Sequence, residues 1–531
     1  MNILFMTQSS SLDMFYQLML SMKKSVAVDK VGFYVTDSSF FPRFKNDYPQ
    51  VKSYYLLKEW EIHRDSVNLK PDISFLARYE KKIGRPYLWN AIVADRRIFL
   101  GRKYSYSQDY APRFNHERML AILQVALQRV EKLFDELKPD LVVSFQCVTI
   151  GEYLSYLFAR ARGITVLNLR PVRIHNYFYA GESVLEPSEN LRDEFENYFG
   201  YGVEEPLRNK AIDYINEIRN KNAMYEGVVP PSNTTPATVR STKKRLDISR
   251  LNGFKNLVVS ELQYRFGEFR FDNHISGFVE PFVYNRVVRV WRAKSMDRKF
   301  KDIYVSPKEL PHLNYAFFPL HVEPEITLLV YSKPYLNQIE AVRLFSHNLP
   351  VGMKLIVKEH PVAIGKRPIG YYKKLLEIPN VMLANPAINS RDLVSNAKLI
   401  TIIAGSIGFE GLILKKPVVV LGNTPYNFLP SSMIRHIRNT DILGDEIRDL
   451  MENYKNDEEA LISYVAAVID NSVSVDFYSR LLGRKEAYIP DKFEDKEGDV
   501  IRKEHVERLA NYLINRFNKY RSKDVKVCVL L

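Results

Sequence analysis

The sequence predicts an α/β protein built from two Rossmann-like domains that face a central cleft, with a helical basic insertion between them. Three observations carry this. Short apolar runs alternate with amphipathic helical stretches through the first 180 residues. The same pattern restarts near residue 315. In the second half, two apolar runs stop at polar loops of the kind that bind ligands at the carboxyl ends of parallel strands.

The elements follow in order. Residues 2–6 form an apolar first strand, and the polar turn Thr7-Gln8-Ser9-Ser10-Ser11 leads into a helix from Leu12 to Met22. Val31–Val35 is a second strand. Apolar spacing of three and four residues predicts a long helix from His116 to Leu137. Pro139-Asp140 opens the strand Leu141–Phe145, a helix spans Gly151–Arg162, and Ile164–Leu167 returns as a strand. The stretch from Tyr225 to Lys244, with Pro230, Pro231 and Pro236 among Ser, Asn and Thr, breaks the pattern and marks a linker. From Leu246 to Lys301 the chain is expected to be helical and basic. Arg286, Arg289, Arg292, Lys294, Arg298, Lys299 and Lys301 gather around Trp291, a solvated face or a surface for anionic lipid or glycan.

The second unit begins with a strand at Tyr315–Phe318. A helix at Asn337–Ser346, strand 354–357, helix Tyr371–Leu376, strand Val381–Leu383, helix 391–396, strand 399–403, helix 407–414 and strand Pro417–Leu421 follow. Helices fill most of 441–470 and 500–520. The expected boundaries are a first Rossmann-like domain at 1–225, linker and insertion at 226–305, a second Rossmann-like domain at 306–480, and a helical segment at 481–531 that packs back on the first domain.

Composition narrows the function. The chain has 531 residues, 46% hydrophobic and 26% charged, as in ordinary globular proteins. Its two cysteines, Cys147 and Cys528, exclude a disulfide scaffold and a cysteine-based zinc site, and fit a reducing compartment. Met1–Met6 lacks the basic and long apolar regions of a signal peptide, and no apolar run reaches the length of a membrane span, so a cytoplasmic location is expected, peripheral at the inner membrane face. A formal charge of +14 points to anionic partners. No nucleic-acid-binding module accompanies it, so nucleic acid is not an expected partner.

The chemistry concentrates at strand ends. Lys358-Glu359-His360-Pro361 follows one apolar run, and Gly405-Ser406 opens a helix after another. An imidazole, a hydroxyl and free N–H groups at a helix start suit a phosphate. Pro361 keeps the residue before it extended. Glu410 lies one turn into the helix, placed for ribose hydroxyls or for capping. His321, Glu323 and Glu325 share the loop after the first strand of this unit, and Tyr335, Asn337 and Gln338 open the next helix. No Asp-x-Asp signature is present, so no metal is expected, and holding a phosphate falls to His, Lys and N–H groups.

These motifs resemble the capsule polysaccharide synthesis proteins, bacterial glycosyltransferases of the GT-B fold that include the β-Kdo transferases. The matching pieces are Phe318–Glu325, Lys358–Pro361 with Gly365, Pro379-Asn380-Val381, Gly405–Glu410, and Lys416-Pro417-Val418 leading to Gly422 and Tyr426. The His-Pro step also resembles GT-B sialyltransferases and CDP-glycerol phosphotransferases, which use cytidine nucleotides. The resemblance implies a nucleotide-sugar donor, CMP-linked, as substrate with no cofactor, and a glycan or lipid-linked acceptor. It implies donor binding by His360, Pro361, Lys358, Gly405, Ser406, Glu410, His321, Glu325 and Asn337.

The catalytic carboxylate is expected from the first domain, where Glu152 and Asp13 both follow strand-end turns. Gln8 and Ser9 are candidate acceptor contacts. Arg170 and Arg173, with His175, could pair with an acidic sugar. A nucleotide-sugar 2-epimerase and a non-catalytic assembly protein remain open alternatives, because fold alone does not decide among them.

Overall fold

The computed structural model describes residues 1–8, 11–84, 86–99, 113–187, 191–221, 225, 258–259, 261–275, 277–323, 325–484 and 495–529. Ser9, Pro324 and the proline-rich stretch 226–244 lie outside the described residues.

The first sheet contains β1 (Asn2–Met6), β2 (Lys30–Val35), β3 (Tyr55–Lys58), β4 (Leu141–Phe145), β5 (Thr165–Pro171) and β6 (Tyr177–Gly181). The second contains β7 (Tyr315–Pro319), β8 (Lys354–Lys358), β9 (Val381–Ala384), β10 (Leu399–Ile402), β11 (Val418–Val420) and β12 (Ile434–His436), and β13 (Val473–Ser474) returns to the first. The orders are β13-β6-β5-β4-β1-β2-β3 and β12-β11-β10-β7-β8-β9. β1 to β5 and β7 to β12 pair in parallel, and β6 pairs antiparallel with both β5 and β13. Strand order reverses between β1 and β4 in one sheet and between β7 and β10 in the other, and such reversals open a crevice at the strands' carboxyl ends. Two Rossmann-like domains are therefore present.

The apolar runs became strands because both faces of each sheet are covered. β1, β4 and β10 are buried almost end to end, as parallel strands require. The helix His116–Leu137 forms as its spacing predicts, with Asn115 capping its first turn.

Tertiary packing moves one boundary. Helices Leu191–Tyr201 and Glu205–Asn220 bury Leu191, Phe195, Tyr214 and Ile218 in the same core as Leu412, Val418 and Val465 of the second domain. Arg219 also pairs with Glu458 through two bonds of 2.6 and 2.7 Å. The chain thus crosses between domains after β6, before the expected position at 225. It crosses back at β13, and the helix Asp495–Val529 lies against Ser11–Ser25, with Leu509 and Leu513 in the core beside Phe15 and Met19.

The segment between the domains is not one helix. After helical residues 261–266, the short turn Glu268–Phe271 and the irregular residues 272–275 come before the helix that runs from Val279 to Phe300. Asp272 accepts from Ser38 N at 2.7 Å, and Asn273 bonds His63 Nε2 at 2.7 Å, so this stretch docks on the first domain. Arg289 donates to the carbonyls of Ile364 and Val362, and Arg292 to that of Lys366. These two arginines hold the loop after β8, which corrects the expectation that the whole basic group faces outward. Among the described residues no helix is long and apolar enough to cross a membrane.

Candidate active site

The second domain supplies a wall at its β7/β10 reversal. Gly405 takes φ +112, a conformation open to glycine, and an added Cβ would lie 3.3 Å from His321 Cε1. This turn starts the helix Ser406–Ile413 with no side-chain cap, so its first N–H groups stay available. His321 Nε2 accepts from Ala404 N at 3.4 Å, which ties the two strand ends together. Burial lowers His321 to about 3, keeping it neutral.

His360 ends β8. Its Nδ1 accepts from Val362 N at 3.2 Å, capping the turn Pro361–Ala363. That bond assigns the proton to Nε2, leaving Nε2–H as a donor at the wall. Desolvation, with Lys358, Lys366 and Arg367 adding repulsion, lowers His360 to about 4, so the neutral ring persists through physiological pH.

Beneath this wall sits a buried ion pair that the sequence did not reveal. Arg367 is fully buried, pairs with Glu359, donates to His321 O at 2.6 Å and lies 3.6 Å from Glu323. Tyr372 OH donates to Glu359 at 2.6 Å, and Gln338 accepts from His321 N at 2.7 Å while donating to Glu323. Glu323, Glu359 and Gln338 are thus structural anchors of the His321 and His360 loops. Two expected donor ligands are also engaged elsewhere. Lys358 donates to Ser390 Oγ at 3.1 Å, and Asn337 Oδ1 caps its helix through Ile339 N at 3.2 Å. Glu410 lies on the Ser406 helix, and burial raises it to about 7 against the pull of Arg391.

The first domain supplies the facing wall at its own reversal. Glu152 is buried; its carboxylate accepts from Val148 N, Thr149 N and Thr149 Oγ1 at 2.9 to 3.1 Å, and from Gln8 Nε2 at 2.7 Å. Part of this is a capping box with Thr149. Desolvation outweighs these bonds and raises Glu152 to about 8. Gln8 thereby bridges the ends of β1 and β4, also donating to Phe145 O at 3.2 Å. Asp13 is committed differently: Tyr48 OH donates to it at 2.9 Å and Arg502 at 2.7 Å, a tie between the first and last helices. Arg170 is buried against the carbonyls of Ser183 and Glu186 and holds their turn. These bonds give Asp13 and Arg170 structural ties within the first domain and its last helix. His175 pairs with Glu217 at 2.9 Å.

Arg173 sits at φ +65 in the turn after β5, a strained setting for a side chain of its size. Its guanidinium lies 5.0 Å from the Tyr225 ring centre, and Tyr225 OH is 3.4 Å from Ser406 Oγ. Tyr225, expected as the start of a linker, therefore joins the two walls. Burial raises Glu325, which feels the charges of Arg173, Arg96 and Lys366. Beyond it, Leu329 and Val330 enter the first domain's core, and Lys333 lies 5.8 Å from the Tyr153 ring centre.

A second cluster went unseen in the sequence. Glu59, just after β3, takes a hydrogen bond from Tyr34 OH and lies 3.1 Å from His274 Nε2. Burial alone would raise Glu59, but His274 and His63 override it and hold it well below the usual range. Residues 59 and 274 are too far apart for any sequence pattern to pair them.

Residues 249–436 match the family model described as capsule polysaccharide biosynthesis protein. Protein FixF of Sinorhizobium fredii (strain NBRC 101917 / NGR234) is 30% identical over 141 residues, 25% of this chain and 31% of that relative's own length. Among solved structures, Thermosulfurimonas dismutans KpsC, β-Kdo 2,7 transferase, is 15% identical with a TM-score of 0.32, over 64% of this chain and 80% of that one. UDP-GlcNAc 2-epimerase from Neisseria meningitidis bound to UDP-GlcNAc is 12% identical with a TM-score of 0.26, over 88% and 97%. The segment that bears His321, His360, Gly405 and Ser406 thus carries the pattern of the capsule polysaccharide biosynthesis family.

Proposed function

We propose that this protein is a glycosyltransferase of surface polysaccharide synthesis, moving a sugar from a nucleotide-activated, CMP-linked donor to a glycan or lipid-linked acceptor at the inner membrane face. The observation that carries the reading is the pairing of an uncapped helix start at Ser406 with His321 and His360 at one strand-order reversal, opposite the buried Glu152 at the other. Chemically, the Nε2–H of His360, the Ser406 hydroxyl and the helix N–H groups receive the charge that develops on the departing phosphate, without a metal. Arg173 and Tyr225 contact the sugar's acidic group. Glu152, held protonated by burial until about pH 8, exchanges a proton with the acceptor hydroxyl once it ionises.

The test is a thermal-shift panel of CMP, CDP, UDP, GDP and their sugars, followed by calorimetry with His360→Ala. Stabilisation by cytidine nucleotides alone, lost in His360→Ala, supports the donor site. Unchanged CMP affinity in that variant overturns it. Turnover of a UDP-sugar with no acceptor present would move the protein to the 2-epimerases.

A further inference from the structure

We propose that the outer face of the helix running from Val279 to Phe300 is a docking surface for an anionic lipid bilayer. Val279, Val283, Val287 and Trp291 recur every four residues, which puts them along one face, and all are exposed, Trp291 by 64%. Phe282 joins them at 49% exposure. The opposite face is buried through Tyr284, Met296 and Phe300. The neighbouring helical stretch presents Phe266 at 77% exposure, and its Glu261 accepts from Phe278 N and Val279 N, joining the two helices. Exposed apolar residues are ordinary when scattered singly; a periodic ridge with two large aromatics is not.

Charge selects the occupant. Residues 279–301 hold seven basic residues against two acidic ones. Two of the seven, Arg289 and Arg292, are spent on the 362–366 loop. The exposed remainder includes Arg286 within the ridge and Lys294 and Arg298 just past Trp291. An apolar ridge that carries a tryptophan and is flanked by exposed basic residues matches a helix lying in the interface plane of an anionic membrane, the ridge towards the acyl chains and the basic residues at the headgroups. A second copy of the chain would bring like charges together. Because Arg289 and Arg292 fasten the same helix to the loop beside His360, a docked helix would hold the cleft near the membrane. The proposal deepens the reading of an enzyme that works at the inner membrane face.

The experiment is sedimentation of the full chain, without nucleotide, with vesicles of phosphatidylcholine containing about one-quarter phosphatidylglycerol, and with phosphatidylcholine alone. Binding is expected to be at least about tenfold stronger to the anionic vesicles and to weaken as salt rises from about 0.1 to about 0.5 M. Phe282→Glu with Trp291→Glu should lower it at least about tenfold. The exposed positions leave the melting temperature and any nucleotide response unchanged, which separates failure here from failure of the donor site. Absence of vesicle binding, or full binding by the double variant, overturns the proposal. A concentration-dependent dimer abolished by the double variant also overturns it, assigning the face to a second copy.

Discussion

The two walls of the cleft are built in different ways. The second-domain wall is made of strand-end loops whose working parts are neighbours in sequence: Gly405 with Ser406, and His360 with Pro361. It relies on backbone N–H groups and a neutral imidazole, all poised to donate. The first-domain wall joins distant residues, with Gln8 bonded to Glu152 and Glu59 bonded to His274, and its carboxyl groups are deeply buried. One wall is suited to receive negative charge and the other to hold or release a proton. Glycosyl transfer needs both, because negative charge develops on the leaving phosphate while the acceptor hydroxyl gives up a proton.

The largest effect is expected from Arg367→Met. It leaves Glu359 buried without its partner, which costs about 3–5 kcal/mol. Chemical denaturation should show that loss, together with loss of nucleotide binding, since the His321 and His360 loops share this anchor. Glu152→Gln should instead spare stability, because the amide retains much of the capping geometry, while turnover falls about 10²–10⁴-fold. Retained turnover would leave the first wall without a proton-transfer role.

The same residue gives a pH signature. Its folded pKa, about 8, lies above the ordinary carboxylate value, so the fold favours the proton. The stability this contributes is full below the ordinary range and is lost as pH rises towards 8. Turnover that needs the carboxylate should climb over the same window, and both slopes should vanish in Glu152→Gln. His360→Ala should weaken nucleotide binding by about tenfold or more with little change in stability, the loss of one hydrogen bond to a charged group. Asp13→Asn should have the smallest effect, about 1 kcal/mol or less in stability with no change in turnover, as a partly exposed ion pair between helices allows.

Local pattern determined a great deal. The boundaries of β1, β4 and the helix His116–Leu137, the doubly covered sheets, and the His360-Pro361 and Gly405-Ser406 loops follow from apolar periodicity, from proline and glycine at turns, and from residue types at strand ends. These depend on interactions within a few residues, so a sequence carries them openly. Tertiary structure alone decided the rest. It sent Asp13 to Arg502 and Arg170 to the 183–186 turn, set Arg367 under the two loops, and brought Tyr225 between Arg173 and Ser406. It also moved the helices after β6 onto the second domain. Each of these depends on which partner burial brings within reach across tens to hundreds of residues. A buried charge must find a partner, but its own residue type does not specify which one.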